Sequence, residues 1–241
     1  MEKKMKIKLV IPIPIPPQSM GMIERMLEAR RRVAGPRTLL EMVVPRQGPP
    51  SMVTIADRFF SAQAVFPEVY KAAQEGYDAV IVDCCGDQLY PDALALLPIP
   101  LVPPLHSSLQ LAGMLCRRFS IITPTPGQAD LYRRLVDMYG FTPRVVSVRE
   151  TPPYYAGECD GEEEFNGLLL QTGQDVLREG AEGIILGCTI LTQDRWLQEK
   201  LGVPVLAPGD VAVKTAEMLL RLGLTYYPRG KGKSWMSTGT E

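Results

Sequence analysis

The stretch from Glu75 to Leu115 reads EGYDAVIVDCCGDQLYPDALALLPIPLVPPLHSSLQLAGML, and that from Glu179 to Leu219 reads EGAEGIILGCTILTQDRWLQEKLGVPVLAPGDVAVKTAEML. A constant offset of 104 residues aligns them without a gap. It pairs Glu75 with Glu179, Gly76 with Gly180, Cys84 with Cys188, Pro100 with Pro204, Pro104 with Pro208, and Met114-Leu115 with Met218-Leu219. Upstream, Ile7–Pro14 overlays Phe119–Pro126 at an offset of 112, so the first half carries a longer intervening segment. Matches at fixed spacing over this length mark an internal duplication.

Each half yields the same elements. Short apolar runs bounded by Gly or Pro predict strands at Lys8–Ile13, Leu39–Val44, Ala79–Asp83 and Pro100–Val102. Their counterparts are Ser120–Thr123, Arg144–Val148, Gly183–Gly187 and Pro204–Leu206. Near-continuous apolar runs such as AVIV and GIIL suit strands buried on both faces of a parallel sheet. Helical patterns occupy Met20–Arg32, Ala56–Gln74, Gln128–Tyr139, Glu163–Glu179 and Asp210–Leu222. In the second of these, Phe59-Phe60, Ala64, Pro67 and Tyr70-Lys71 read as the apolar stripe. Alternating strand and helix gives an α/β fold of two duplicated, doubly wound parallel-sheet lobes, related by a pseudo-twofold axis with the active site in the cleft between them. The lobes are expected at 1–105 and 106–209, with the helix of 210–222 packing back on the first and 227–241 forming a flexible tail.

Composition removes several function classes. Lys+Arg of 26 against Asp+Glu of 27 leaves no basic excess for nucleic acid. No apolar run approaches a membrane span, and the Pro-rich N-terminus reads as a first strand rather than a signal peptide, so a cytoplasmic protein is expected. Five cysteines (Cys84, Cys85, Cys116, Cys159, Cys188), no CxxC and one histidine, His106, argue against a disulfide framework and a structural zinc site. Without a GxGxxG or P-loop pattern, no cofactor and no metal are expected.

Chemistry is expected at the carboxyl ends of the strands. Cys84 directly follows Ala79–Asp83, and Cys188 directly follows Gly183–Gly187. Each is expected to precede a helix, whose positive end would favour the thiolate. Two thiols at repeat-equivalent strand ends would face one another across the cleft. That is the arrangement for two-base proton transfer, in which one thiolate removes a proton from a carbon acid and the opposing thiol returns one to the other face. Cys85 falls opposite Thr189 in the repeat, which selects Cys84 as the partner of Cys188. Ser19, Cys85, Gly86, Thr123, Thr125, Gly187 and Thr189 are the candidate substrate-binding residues, through hydroxyls and nearby N–H groups. Asp87 reads as a helix cap, and His106, opposite Asp210, as a helix N-terminal residue near the cleft.

Asp83-Cys84-Cys85-Gly86-Asp87 resembles the first-cysteine motif of hydantoin racemases, and Gly187-Cys188-Thr189 the second-cysteine motif of the aspartate/glutamate/hydantoin racemase superfamily. Arg117–Thr123, Gly202-Val203-Pro204-Val205 and Ala212-Val213-Lys214 are similar as well, so the resemblance covers most of the chain from about Gly76 to Leu224. It implies an isomerase, a racemase or epimerase needing neither pyridoxal phosphate nor metal, working through Cys84 and Cys188. The implied partner is a small molecule (a hydantoin, an amino acid or a dicarboxylate), and a homo-oligomer is expected. Pro12–Ser19 stands where hydantoin racemases carry Asn-Pro-Asn-Thr/Ser, and Ile190 follows the second motif where amino-acid racemases often have Glu. Thr123-Pro124-Thr125-Pro126 resembles a segment of maleate isomerases and arylmalonate decarboxylases; the latter keep the second cysteine alone. A maleate-type cis–trans isomerase with a covalent cysteine adduct, and a non-catalytic binding protein on the same fold, remain the alternatives.

Overall fold

The computed structural model describes residues 4–151 and 162–225. Cys159, Trp235 and the expected tail lie outside them. Among the described residues, eight strands form two four-stranded, wholly parallel sheets. The first runs β2 (Thr38–Val43), β1 (Met5–Val10), β3 (Ala79–Val82), β4 (Leu101–Val102). The second repeats that order as β6 (Val145–Glu150), β5 (Phe119–Thr123), β7 (Ile184–Leu186), β8 (Val205–Leu206). Strand β1 starts earlier than the sequence reading placed it and ends at Val10. Beyond it come Pro12, Pro14 and Pro16, which have no N–H to give a ladder.

Alternation along the central strands sends side chains into two layers. In the first sheet Val10, Val80 and Val82 pack under α2 (Ile55–Gln74) through Val65, Val69 and Ala72. On the opposite face Ile7, Leu9 and Ile81 meet Ala212, Val213 and Ala216 of α7 (Pro208–Leu222), beside Leu27 and Val33 of α1 (Met20–Val33). The second sheet is built alike. Ile122, Ile184 and Leu186 meet Phe165, Leu169 and Val176 of α5 (Glu162–Arg178) and Leu197 of α6 (Asp194–Leu201). Phe119, Ile121 and Ile185 meet Leu131 and Leu135 of α4 (Gln128–Met138) and Leu105, Leu109 and Ala112 of α3 (Pro104–Leu115). The helix that ends each half therefore covers the other half's sheet. The two exchanged helices, α3 and α7, pack against each other between the sheets.

The stripe expected on α2 is corrected. Its buried residues are Ser61, Val65, Val69 and Ala72, whereas Phe59 and Phe60 are exposed and meet edge to face. Small and β-branched side chains at i, i+4 and i+8 let the helix approach the sheet closely, and the two aromatics fall outside that row. A Thr54–Asp57 capping box starts the helix. Helix α3 starts where His106 was read as a helix N-terminal residue, and helix α6 is an addition to the sequence reading. No helix among the described residues is long and apolar enough to cross a membrane.

Candidate active site

The carboxyl ends of β3 and β7 deliver Cys84 and Cys188 into one cavity of about 420 Å³. The first lobe supplies its walls from the Ile11–Pro16 segment, from Met22, Ile23 and Met26 of α1, and from the Pro50–Val53 loop. Thr125, Gln128 and Tyr132 contribute from the second lobe, and Ile190 follows the second cysteine. Neither cysteine is in a disulfide, and both are half-buried. Among the described residues that line the cavity there is no Lys, Arg or His. Apolar walls around a few polar groups are the usual build of a small-molecule site.

The expected helix-dipole assistance is absent at both cysteines. After Cys188 the chain makes a turn and α6 begins at Asp194; after Cys84 the chain makes a tight turn and then a short 3-10 segment at Leu94–Leu96. Burial instead pushes the Cys84 thiol up to about 12, and the nearby Cys188 and Asp87 push the same way. Two donors oppose this shift. Gly86 N–H reaches the Cys84 sulfur at 3.3 Å, and Gln88 Nε2–H reaches it at 3.5 Å. The turn is closed by Asp87 N–H on Cys84 C=O, with Asp87 in the left-handed region at φ 44°, which Asp tolerates better than most residues. From outside, the Arg58 guanidinium donates to the carbonyl oxygens of Gly86, Asp87 and Tyr90.

The other candidate residues divide into walls and supports. Ser19, Thr125, Cys85 and Thr189 border the cavity. The Cys85 thiol nevertheless points into the second lobe's core, 4.0 Å from Leu186 C=O, and burial raises it well above the ordinary thiol range. Thr189 spends its hydroxyl on Asp83 C=O at 2.9 Å, tying the two cysteine loops together. Gly86, Thr123 and Gly187 stand outside the cavity lining, next to residues that form it. Gly86 serves the Cys84 sulfur. Thr123 Oγ1 donates to Gln128, and Gly187 C=O accepts from the Tyr132 hydroxyl. Any side chain at Gly187 would collide with Tyr132 at 2.9 Å and Ile122 C=O at 3.1 Å. Glycine is required there by close approach.

Arg30 and Gln128 carried no site signal in the sequence reading, whereas Asp87 and His106 were read as a helix cap and a helix N-terminal residue. Arg30, 1% exposed, lies beneath both loops. It pairs with Asp83 at 3.3 Å and Asp210 at 2.8 Å, and donates to Thr189 C=O. A Cβ at Gly209 would overlap its guanidinium. Gln128, whose amide donates to Met52 C=O, holds the Pro50–Val53 wall to the second lobe. Asp87 accepts N–H from Leu105 (3.0 Å) and His106 (2.9 Å) and a hydroxyl from Tyr139 (3.1 Å). Asp87 therefore caps α3, the exchanged helix. Burial outweighs these donors and pushes its carboxyl up to about 7. His106 stacks on Tyr139 and Tyr90, with centroids 4.6 and 5.0 Å apart, and stands outside the cavity lining. Burial lowers its pKa.

The profile of the Asp/Glu/hydantoin racemase family matches residues 15–216. The chain belongs to that family. It is an isomerase of the racemase kind. A hydantoin racemase from Pseudomonas sp. (strain NS671) is 34% identical over 224 residues, covering 91% of this chain and 87% of the relative. The hydantoin racemase of Paenarthrobacter aurescens is 28% identical over 225 residues, at 91% and 93% coverage. Among solved structures, allantoin racemase from Klebsiella pneumoniae superposes with a TM-score of 0.84 at 29% identity, covering 95% of this chain and 96% of that one. Family membership accounts for the two parallel-sheet lobes. These relatives are named for hydantoin and for allantoin, so the substrate must be argued from the cavity.

Proposed function

We propose that this racemase inverts a neutral, ring-closed carbon acid of hydantoin type, with Cys84 and Cys188 exchanging protons on opposite faces of the stereocentre. One observation carries the reading: two repeat-equivalent thiols line a single apolar cavity with no cationic side chain among its described walls. A free carboxylate bound there would lose its hydration with no cation to replace it, which is costly. A cyclic amide brings no charge and suits the walls.

The steps balance without a cofactor. One sulfur, as thiolate, takes the proton from the carbon between carbonyl and ring nitrogen. The electron pair moves onto the carbonyl oxygen as an enolate. The opposing thiol then gives its proton to the other face, so each turnover exchanges the roles of the two sulfurs. Cys84, held protonated by burial, is set to be the donor in the free enzyme. The backbone N–H groups of Cys85 and Thr189, next in sequence to the two thiols, are assigned as donors to the developing oxyanion.

Cys84→Ala and Cys188→Ala should each lower racemisation of a 5-substituted hydantoin by about a thousandfold or more, followed by polarimetry with unchanged circular dichroism of the fold. Solvent deuterium should enter the inverted product. Wild-type turnover in Cys188→Ala would sink the reading.

A further inference from the structure

Gln88 stands behind the cavity rather than in its lining, 1% exposed. Its amide nitrogen lies 3.5 Å from the Cys84 sulfur and 3.4 Å from that of Met52, while its carbonyl oxygen is buried with no partner. A buried amide with half of its capacity unfilled is an expensive way to occupy space; an apolar side chain of equal volume would avoid the penalty. What the amide does that an apolar chain cannot is donate to sulfur. Gly86 N–H reaches the same sulfur at 3.3 Å. Two N–H donors converging on one buried sulfur suit a thiolate, since a thiol needs an acceptor for its own proton.

We propose that Gln88 is a positioning residue that, together with the Gly86 N–H, forms a two-donor cradle for the Cys84 thiolate each time that sulfur has given up its proton. It does not touch substrate. In the proposed cycle, on which the catalytic half of this inference rests, Cys84 must pass through the thiolate once per round trip between enantiomers. Burial and the neighbouring Asp87 and Cys188 oppose that state, and the two donors offset part of the opposition. Cys188 is served differently: Gln88 sits four residues after Cys84, and the repeat places Thr192 at the matching position.

The test compares the two thiols inside one molecule. Each would be alkylated with iodoacetamide at several pH values and quantified by peptide mass spectrometry. In Gln88→Met, which keeps volume and removes the donor, the Cys84 rate should fall about tenfold against wild type, the loss of one hydrogen bond to a charged group, while the Cys188 rate holds. Gln88→Glu replaces the donor by an acceptor and should slow Cys84 further still. It also decides the matter if Gln88→Met fails to fold. Equal changes at both cysteines, or none at Cys84, overturn the cradle. Turnover is read separately. A fall in kcat with little change in KM, beside the selective loss at Cys84, places the cradle in the cycle. The selective loss with unchanged kcat would keep the cradle and refute the two-thiol reading.

Discussion

The exchanged helices α3 and α7 begin at equivalent points of the duplicated halves, yet the chain receives them with different chemistry. At the head of α7, Asp210 meets the buried guanidinium of Arg30, which also holds Asp83 and Thr189 C=O. At the head of α3, His106 occupies the matching place and meets an aromatic ring, Tyr139, whose hydroxyl donates to Asp87. One entrance is ionic, the other a neutral stack around a single carboxyl. Thiol position is common to the halves, but the groups beneath the thiols are not. The two sulfurs thus share a place in the repeat, while the helix heads near them differ in chemistry.

This contrast can be broken by mutation. Arg30→Met should be the most damaging change, because it strands the buried Asp83 without its cation, beside the partly buried Asp210. Removing one partner of a buried ion pair costs about 3–5 kcal/mol, readable as a lower urea midpoint. Tyr139→Phe should cost only about 1 kcal/mol, the loss of one hydrogen bond. Comparable losses from both would mean that the entrances are equivalent after all.

Between these extremes lies Asp87→Asn, whose effect is on pH dependence. The Asp87 carboxyl is pushed up to about 7 in the folded chain, so between the ordinary carboxylate range and pH 7 the native state holds a proton that the unfolded chain has released. Its contribution to stability is therefore full in acid, declines as pH rises toward 7, and is flat above. Thermal unfolding at pH 5 and pH 8 should show a gap in the wild type that narrows in Asp87→Asn. An unchanged gap would assign the slope to other groups.

The duplication was legible because sheet-core residues, turn glycines and strand-end cysteines recur at one spacing, and this carried the fold and the thiol pair with it. The supports were not legible, for identifiable reasons. Arg30 opens the run Arg30-Arg31-Arg32, which reads as a solvated helix face until α7 is laid over it. Gly209 is the imprint of that guanidinium, but a glycine near a helix start has many explanations. Gln88, Gln128 and Tyr132 depend on which loop crosses to which lobe, and periodicity within one segment does not encode that. Helix α6 has only eight residues, too short for a periodic pattern to stand out. The helix-dipole expectation at the cysteines failed because both strands end in long irregular loops.

The covering of the first sheet by α7 also has a consequence for synthesis. Its strands are complete by Val102, whereas the helix that closes one of its faces begins at Pro208. Roughly a hundred residues separate the two, or ~5–20 s of translation. Throughout that interval Ile7, Leu9, Ile81 and Val102 lack the helix that later covers them. Until α7 is made, the nascent first half is an unfinished sandwich, one of its faces still waiting for a helix encoded in the second half.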